Sequence, residues 1–422
     1  MNNEYVFAHL TVIILVAAVS GMLLARLNQP VMIGYILAGI MFGPSGLSFI
    51  SSRDQIQFYS ELGILLLLFV IGMELNVRSF LKMWKIPTLF TIIQVFANVI
   101  LSILFAVVFD LPLYTSLLAA FIISLSSTAA IVKVLEHLGE LKTDIGSITI
   151  GILVAQDIVI VPMMLIMREC KSAINVTIIF DLIVAIGLVV LLIKYLGRKE
   201  KIIIPSLQFL SHAELTPVVT LGLCFAAASI VVLFGLSEAY GAFLAGLFIG
   251  NTQERQNVLN SVKPIQNVLL MAFFLSVGLM FDLNFLADNW IVVLLTLLGV
   301  TAWKVFSNSI LLRVFSIELA KSVSIGIILA QLGEFSLLLA NVAIQSQIID
   351  TFGQKLIICV TALSLSLSPL FILFSTKTKN LSFLGDNSIS SVVKVLFVKT
   401  FSDEVKKLAV KSKKMKRKKI EE

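Results

Sequence analysis

Long apolar runs constrain the fold of this chain more than any other feature of its sequence. Eleven runs have the length of about 17 to 25 residues that a helix needs to cross a bilayer, and two shorter runs lie near 30–46 and 237–251. With 58% hydrophobic and 14% charged residues, too little polar surface remains to enclose a soluble protein of this size. The sequence predicts an all-α polytopic membrane protein with about 13 transmembrane helices. The eleven runs are approximately 5–26, 57–75, 84–109, 113–138, 144–168, 173–196, 215–235, 264–281, 290–314, 319–345 and 355–378.

Basic residues are unevenly divided between the loops that alternate along these runs. Loops on one side carry twelve Lys and Arg residues and loops on the other carry four, so the positive-inside rule makes the richer side cytoplasmic. The tail with KSKKMKRKK joins that side, which predicts a cytoplasmic C-terminus and, with an odd number of spans, an external N-terminus. The first run has no basic leader and no small-residue cleavage site, so we expect a retained span in a bacterial inner membrane.

Three pairs of segments resemble each other, offset by about 207 to 210 residues. Chance similarity between apolar helices explains one match well but explains three matches in the same order poorly. The chain is therefore predicted to contain two copies of one unit, at about 30–168 and 237–378. The matched pairs are GYILAGIMFG at 34–43 with GAFLAGLFIG at 241–250, GMELN at 72–76 with GLMFDLN at 278–284, and TIIQVFANVIL at 91–101 with TAWKVFSNSIL at 301–311.

The two copies, each five spans long, start seven spans apart, and an odd displacement means that they enter the membrane in opposite directions. Inverted repeats with a binding site at the midplane are typical of secondary transporters. The site in such folds is marked by paired helices that break in mid-membrane. We therefore predict two inverted five-helix repeats with crossed broken helices, in one transmembrane domain at 1–380, followed by a basic cytoplasmic tail at 381–422.

Polar residues mark the places where the two helices are expected to break. SLSSTAAIV at 124–132 offers the hydroxyls of Ser126, Ser127 and Thr128, which can replace lost backbone hydrogen bonds or coordinate a cation. Its counterpart AQLGEFSLL at 330–338 places Glu334 directly after a glycine. The alternative interpretation is helix packing through small residues with polar contacts between helices.

Gln156 and Asp157 stand side by side in the apolar run LVAQDIVIVP. A charged residue at the centre of a membrane helix costs roughly 2.5 to 3.5 kcal/mol, so Asp157 indicates a function or a partner. Hydrocarbon disfavours the charged carboxylate, and either a proton or a dehydrated alkali cation neutralises it. One carboxylate cannot hold both, which is sufficient for exchange if only the neutralised site alternates between the two sides. A hard cation takes oxygen ligands, and Gln156, Ser127 and Thr128 supply them.

These motifs together resemble the second family of monovalent cation:proton antiporters, and in particular its Kef-type potassium/proton branch. The resemblance rests on SLSSTAAIV, LVAQDIVIVP, AQLGEFSLLL and FVIGMEL at 69–75, and it extends over about 5–378. It implies a fold of thirteen helices, with a dimerising or panel domain and a core domain in which two broken helices cross beside Gln156 and Asp157.

The resemblance also implies a role for each matching residue. Asp157 is the expected cation- and proton-binding carboxylate with Gln156 beside it, and Gln331 and Glu334 lie in the second crossing helix. Lys304 matches a basic residue that related antiporters keep in the preceding helix. This chain differs from the family in two respects: some relatives have two aspartates where it has Gln156 and Asp157, and full-length Kef systems carry a C-terminal nucleotide-binding domain that this sequence lacks.

The function predicted from the sequence is electroneutral exchange of a monovalent cation, with potassium favoured over sodium, for protons in pH homeostasis. Because Gln156 cannot titrate, Asp157 alone would carry one proton or one cation in each cycle. Three alternatives remain open: a sodium-coupled solute symporter, a channel or sensor on the same fold, and an Asp157–Lys304 ion pair with a purely structural role.

The expected partners are the cation, the proton, the lipid bilayer and a second copy of the chain in a homodimer. No catalytic residue, no cofactor, no metal site beyond the transported cation and no nucleic acid are expected. The lysine-rich tail is interpreted as a solvated segment lying against anionic lipid.

Overall fold

The fold is described from a computed structural model of the chain. The described residues are 3–26, 31–48, 54–74, 85–141, 143–169, 187–188, 191–197, 214–233, 238–367, 371 and 374–375. Most of the predicted span at 173–196 and the whole predicted tail at 381–422 lie outside these ranges.

Every regular element in the described part of the chain is a helix. Five of them are long and apolar enough to cross a membrane: Lys85–Phe109, Asp144–Arg168, Leu215–Val232, Arg255–Leu279 and Trp290–Val314. In chain order the helices are α1 (Asn3–Arg26), α2 (Val31–Phe42), α3 (Asp54–Glu74), α4 (Lys85–Phe109), α5 (Leu113–Ser124), α6 (Thr128–His137), α7 (Asp144–Glu169), α8 (Leu215–Val232), α9 (Glu238–Ile249), α10 (Arg255–Leu279), α11 (Leu283–Asp288), α12 (Trp290–Val314), α13 (Leu319–Ile328), α14 (Glu334–Gln345) and α15 (Thr351–Ser366).

The same succession of helices occurs twice in the described residues. Helices α2 to α7 have counterparts in α9, α10 and α12 to α15, and each counterpart begins 201 to 207 residues further along the chain. The short helix α11 stands between α10 and α12 as an addition to the second copy. This order agrees with the repeat that the three pairs of sequence matches predict.

The helices pack in two groups. Helices α1, α2, α3, α8, α9 and α10 contact each other, with α3 against α9 and α10 and with α2 against α10. Helices α4 to α7 and α12 to α15 form the second group, in which α4 packs on α5 and α12 packs on α13. Each group takes members from both copies of the repeat, so the two copies are intertwined rather than side by side.

Glycines allow the backbones in the first group to approach closely. A Cβ atom at Gly278 would collide with the backbone of α2 at Ile36 and Gly39, and one at Gly246 would collide with the carbonyl of Phe69 on α3. Close contact through small residues is the usual way in which membrane helices associate.

The long helices α4 and α12 carry many exposed apolar side chains, including Phe96, Val107, Leu295 and Val314. In a membrane protein such surfaces face lipid. The buried faces of the same helices carry polar residues instead, among them Gln94 and Lys304, so the two helices present polar groups inward, towards the other helices of the second group.

Candidate cation site at the crossing of two broken helices

Two helices of the second group break where the sequence predicts. Helix α5 ends at Ser124 and α6 begins at Thr128, and Leu125 between them has an extended backbone with φ −88° and ψ 146°. Helix α13 ends at Ile328 and α14 begins at Glu334. These breaks leave backbone N–H and C=O groups without helical partners, which side chains must satisfy inside a membrane.

The two breaks lie directly against one another. A Cβ atom at Gly333 would stand 2.8 Å from the carbonyl oxygen of Ser126 and 3.0 Å from the amide nitrogen of Ser127. The Ser126 hydroxyl donates a hydrogen bond of 2.7 Å to the carbonyl of Leu329. A residue of the first break therefore satisfies a backbone carbonyl of the second.

Lys304 on α12 is fully buried at the first break, with 1% of its surface exposed. Its ammonium group donates to the carbonyl oxygen of Leu125 and, at 3.2 Å, to the hydroxyl of Ser126. The ion pairs within 4.0 Å in the described part of the chain do not include Lys304 with Asp157. The structural Asp157–Lys304 ion pair considered from the sequence is therefore not formed in this conformation, and Lys304 stabilises the break instead.

Ser127 and Thr128 bind two different carboxylates. Thr128 Oγ1 lies 3.2 Å from both carboxylate oxygens of Asp157, and Ser127 Oγ donates to Glu334 Oε2 at 2.8 Å. Asp157 and Glu334 are each 7% exposed. Two buried acidic side chains thus meet consecutive hydroxyls at the start of α6, and the sequence had not indicated which hydroxyl would contact which acid.

Gln156 faces a different set of partners from Asp157. Its Nε2 donates to Gln94 Oε1 at 2.9 Å, and Gln94 Nε2 donates in turn to Asn308 Oδ1 at 2.8 Å. Gln331 is also fully buried, at 0% exposure, in the second break. All eight residues singled out from the sequence, at 126, 127, 128, 156, 157, 304, 331 and 334, are buried or nearly buried in the second group of helices.

Sequence analysis missed three participants in this region: Gln94, Asn308 and the carbonyl of Leu125. The two side chains could have been found, since the matched segments TIIQVFANVIL and TAWKVFSNSIL place Gln94 opposite Lys304 in the repeat and give both copies an asparagine four residues later. The carbonyl could not, because only the break of the helix makes it available.

The side chains around Asp157 offer oxygen atoms to a bound ion. The Asp157 carboxylate and the Thr128 hydroxyl are oxygen groups of the kind that suit hard cations. Within the described residues, no group of three or more His, Cys, Asp and Glu side chains has the geometry to hold a metal ion.

Two broken helices that cross inside a repeated bundle, with buried carboxylates at the crossing, define the class of secondary transporters. The chain belongs to the sodium/hydrogen exchanger family: the family described as "Sodium/hydrogen exchanger, transmembrane" matches residues 12–373. Its members are transporters and not enzymes. The predicted all-α polytopic fold and the predicted membership of the cation:proton antiporter-2, Kef-type group are both confirmed.

Curated relatives cover most of the chain. It is 37% identical over 388 residues to the iron transporter MagA of Paramagnetospirillum magneticum, with 92% of this chain and 89% of the relative covered. It is 29% identical over 388 residues to K(+) efflux antiporter 5 of Arabidopsis thaliana, covering 89% of this chain and 67% of the relative. It is 27% identical over 380 residues to the putative cation/proton antiporter YbaL of Escherichia coli, covering 87% of this chain and 68% of the relative.

Among solved structures, the sodium proton antiporter MjNhaP1 of Methanocaldococcus jannaschii at pH 8 has a similar fold. The TM-score is 0.68 at 16% sequence identity, with 88% of this chain and 99% of that chain covered. This similarity concerns the fold alone.

Proposed function

We propose that this protein exchanges a monovalent cation for protons by alternating access, with Asp157 as the group that binds either one. The contact between Thr128 and Asp157 carries the proposal, since it places a titratable carboxylate at the crossing of the two breaks. The membership of the sodium/hydrogen exchanger family supports it.

The exchange follows from competition at one buried oxygen cluster. An unneutralised carboxylate is costly in a water-poor, low-dielectric interior, so Asp157 crosses the membrane with a proton or with a cation. Thr128 can adapt to both states, because a hydroxyl rotates and can either donate a hydrogen bond to an anion or turn its lone pairs to a cation. Ser127 is held more firmly, since its oxygen accepts from Ala130 N at 3.3 Å while it donates to Glu334.

A cavity between the two groups of helices supports alternating access. It has a volume of about 220 Å³ and is lined by α3 and α10 of the first group and by α14 and α15 of the second, with polar contributions from Glu61, Ser276, Asn341 and Gln354. Helix α14 connects this cavity to the crossing, because it begins at Glu334 and passes Asn341. Movement of the second group against the first would close this cavity and expose the site from the opposite side.

Potassium is the proposed cation. The support comes from relatives whose names describe K(+) efflux antiporters, since the oxygen ligands at Asp157 serve potassium and sodium alike. We also propose that the cycle is electroneutral and that the repeats at 30–168 and 237–378 have inverted orientations. The protein is further proposed to form a homodimer in a bacterial inner membrane, with a cytoplasmic C-terminus.

Iron transport is a second candidate function. It is favoured by the 37% identity to MagA, which is named an iron transporter, together with the presence of two buried carboxylates at the crossing. Asp157 and Glu334 together could neutralise a divalent cation, whereas one carboxylate is sufficient for potassium.

One assay on proteoliposomes separates these functions. Purified protein is reconstituted with a pH-sensitive dye inside, and potassium, sodium or ferrous ion is added outside at fixed initial pH. Cation:proton exchange predicts proton movement out of the vesicles on addition of potassium or sodium, independent of other solutes. Proton movement with ferrous ion alone would support iron transport, and a dye response that appears only under an imposed membrane potential would indicate a channel. No proton movement with any cation would refute the exchange proposal.

A further inference from the structure

Three buried amide side chains form a continuous hydrogen-bonded chain beside the candidate cation site. Gln156 donates from Nε2 to Gln94 Oε1 at 2.9 Å, and Gln94 donates from Nε2 to Asn308 Oδ1 at 2.8 Å. The three residues are 1%, 3% and 0% exposed, respectively. They belong to α7, α4 and α12, so the chain connects helices from both copies of the repeat.

The two ends of this amide chain are unpaired. Gln156 Oε1 and Asn308 Nδ2 are buried polar atoms without a hydrogen-bond partner. Leaving a buried amide oxygen without a partner is unfavourable, and a bound cation would provide the partner that Gln156 Oε1 lacks. The unpaired atom at the Asn308 end is the amide nitrogen Nδ2, which is a donor and cannot coordinate a cation.

The polarity of the chain decides which atom of Gln156 remains available. Each amide has one donor end and one acceptor end, so three amides in series can be arranged in two opposite directions. In the observed direction the Gln156 oxygen is left over. In the reverse direction Gln94 would donate to that oxygen, and the nitrogen, which cannot bind a cation, would be left over.

We propose that Gln94 and Asn308 are positioning residues that fix the amide of Gln156 so that its oxygen is presented to the transported cation. The inference rests on the proposed function, in which Gln156 is a ligand beside Asp157. Asn308 acts at the far end, because its oxygen accepts from Gln94 Nε2 and so leaves only the Gln94 oxygen to face Gln156. Neither positioning residue touches the cation itself.

The test compares two substitutions of Gln94 that differ in hydrogen bonding. Gln94→Met keeps the length of the side chain and removes both polar ends, which frees Gln156 to turn its amide. Gln94→Glu keeps an acceptor oxygen for Gln156 Nε2 and, when ionised, has no donor that could pair with the Gln156 oxygen, so it preserves the direction of the Gln156 amide. Thr91→Val, one turn away on α4, is the matched control, because the Thr91 hydroxyl is buried without a partner and takes no part in the amide chain.

The readout is the dependence of proton flux on potassium concentration in proteoliposomes, which separates the apparent KM for the cation from the maximal rate. We expect Gln94→Met to raise the KM about five- to tenfold, the effect of one lost oriented contact, at a maximal rate near that of the wild type. For Gln94→Glu we expect a KM within about twofold of the wild-type value, because the hydrogen bond from Gln156 Nε2 is preserved. An unchanged KM in Gln94→Met, or an equal increase in both variants, would refute the positioning role.

A second pair of variants keeps the test decisive if Gln94→Met does not fold. Asn308→Leu removes the acceptor for Gln94 Nε2 and should raise the KM, whereas Asn308→Asp retains an acceptor there and should not. Gln156→Met distinguishes the role of Gln156 as a cation ligand from the positioning role of Gln94 and Asn308. If Gln156→Met raises the KM while the Gln94 and Asn308 variants do not, the positioning inference alone is wrong. If the wild-type protein moves no protons in response to cations, the proposed function is wrong.

Discussion

Gly333 lies against the backbone of Ser126 at the point where the two helix breaks cross. A Cβ atom at position 333 would stand 2.8 Å from the Ser126 carbonyl oxygen and 2.9 Å from its carbon. Since both are backbone atoms of a buried segment, they cannot move aside without shifting the break. The absence of a side chain at position 333 is therefore a condition for the crossing.

Gly333→Ala is predicted to destabilise the protein by about 1 to 3 kcal/mol, the usual cost of overpacking a buried site, and to reduce transport. Gly299→Ala on α12 is the matched control, because nothing lies within 4 Å of a Cβ at that position. Alanine is the better helix former, so the control should be neutral or stabilising. Thermal unfolding in detergent measures both, and equal melting temperatures for the two variants would contradict the tight crossing.

Lys304→Met is predicted to lower stability by about 1 to 3 kcal/mol, because it leaves the buried Leu125 carbonyl and the Ser126 hydroxyl without their donor. Lys263→Met is the control: Lys263 pairs with Glu74 at 2.7 Å, but the two side chains are 54% and 48% exposed. An exposed ion pair contributes only about 0 to 1 kcal/mol. A loss of stability in Lys304→Met no larger than in Lys263→Met would show that the lysine does not hold the break.

Asp282, in the turn before α11, predicts that the stability of the protein depends on pH in the acidic range. The hydrogen bond from Lys355 at 2.7 Å, and a second from the backbone of Phe285, lower the pKa of Asp282 below its ordinary value. A lowered pKa stabilises the fold fully above the unfolded value of about 3.9 and loses that effect as pH falls through the folded value.

Asp282→Asn should therefore lower the melting temperature by the same amount at every pH from about 5 to 8, with the difference shrinking below about pH 4. Melting curves of both proteins in detergent across this range measure the effect. A difference that disappears between pH 6 and 8 would mean that Asp282 titrates in the physiological range, contrary to the geometry of its ion pair.

Voltage independence is predicted for the exchange. If Asp157 alone carries one proton or one potassium ion, each cycle moves no net charge, and proton flux at fixed gradients should be the same at zero and at an imposed membrane potential. Two buried groups could change this: Glu334, held by Ser127, and Lys304. A flux that responds to voltage, and loses that response in Glu334→Gln or Lys304→Gln without loss of exchange, would identify the second proton carrier and refute the one-carboxylate cycle.

The sequence predicted the positions of the two breaks well, because the repeat aligns Ser127 with the segment that contains Gly333 and polar residues are rare in apolar helices. The sequence did not predict which residues of the site form hydrogen bonds with one another. Whether Lys304 contacts Asp157 or the Leu125 carbonyl depends on the direction of the α5 backbone at the break. The types of the residues in the sequence do not predict that direction. The role of Gln94 depends on how three helices distant in sequence pack together, and no local pattern encodes it.

The proposed exchange requires Asp157 to alternate between a proton and a cation. Asp157→Asn keeps the shape of the side chain but cannot titrate, so it removes proton binding at this position. Asp110→Asn is the matched control: it makes the same chemical change at an exposed residue with φ of 52°, a backbone conformation that asparagine tolerates. Potassium-driven proton flux in proteoliposomes, at equal amounts of folded protein, is predicted to be lost in Asp157→Asn and kept in Asp110→Asn. Flux in Asp157→Asn that retains the pH dependence of the wild type would contradict the account.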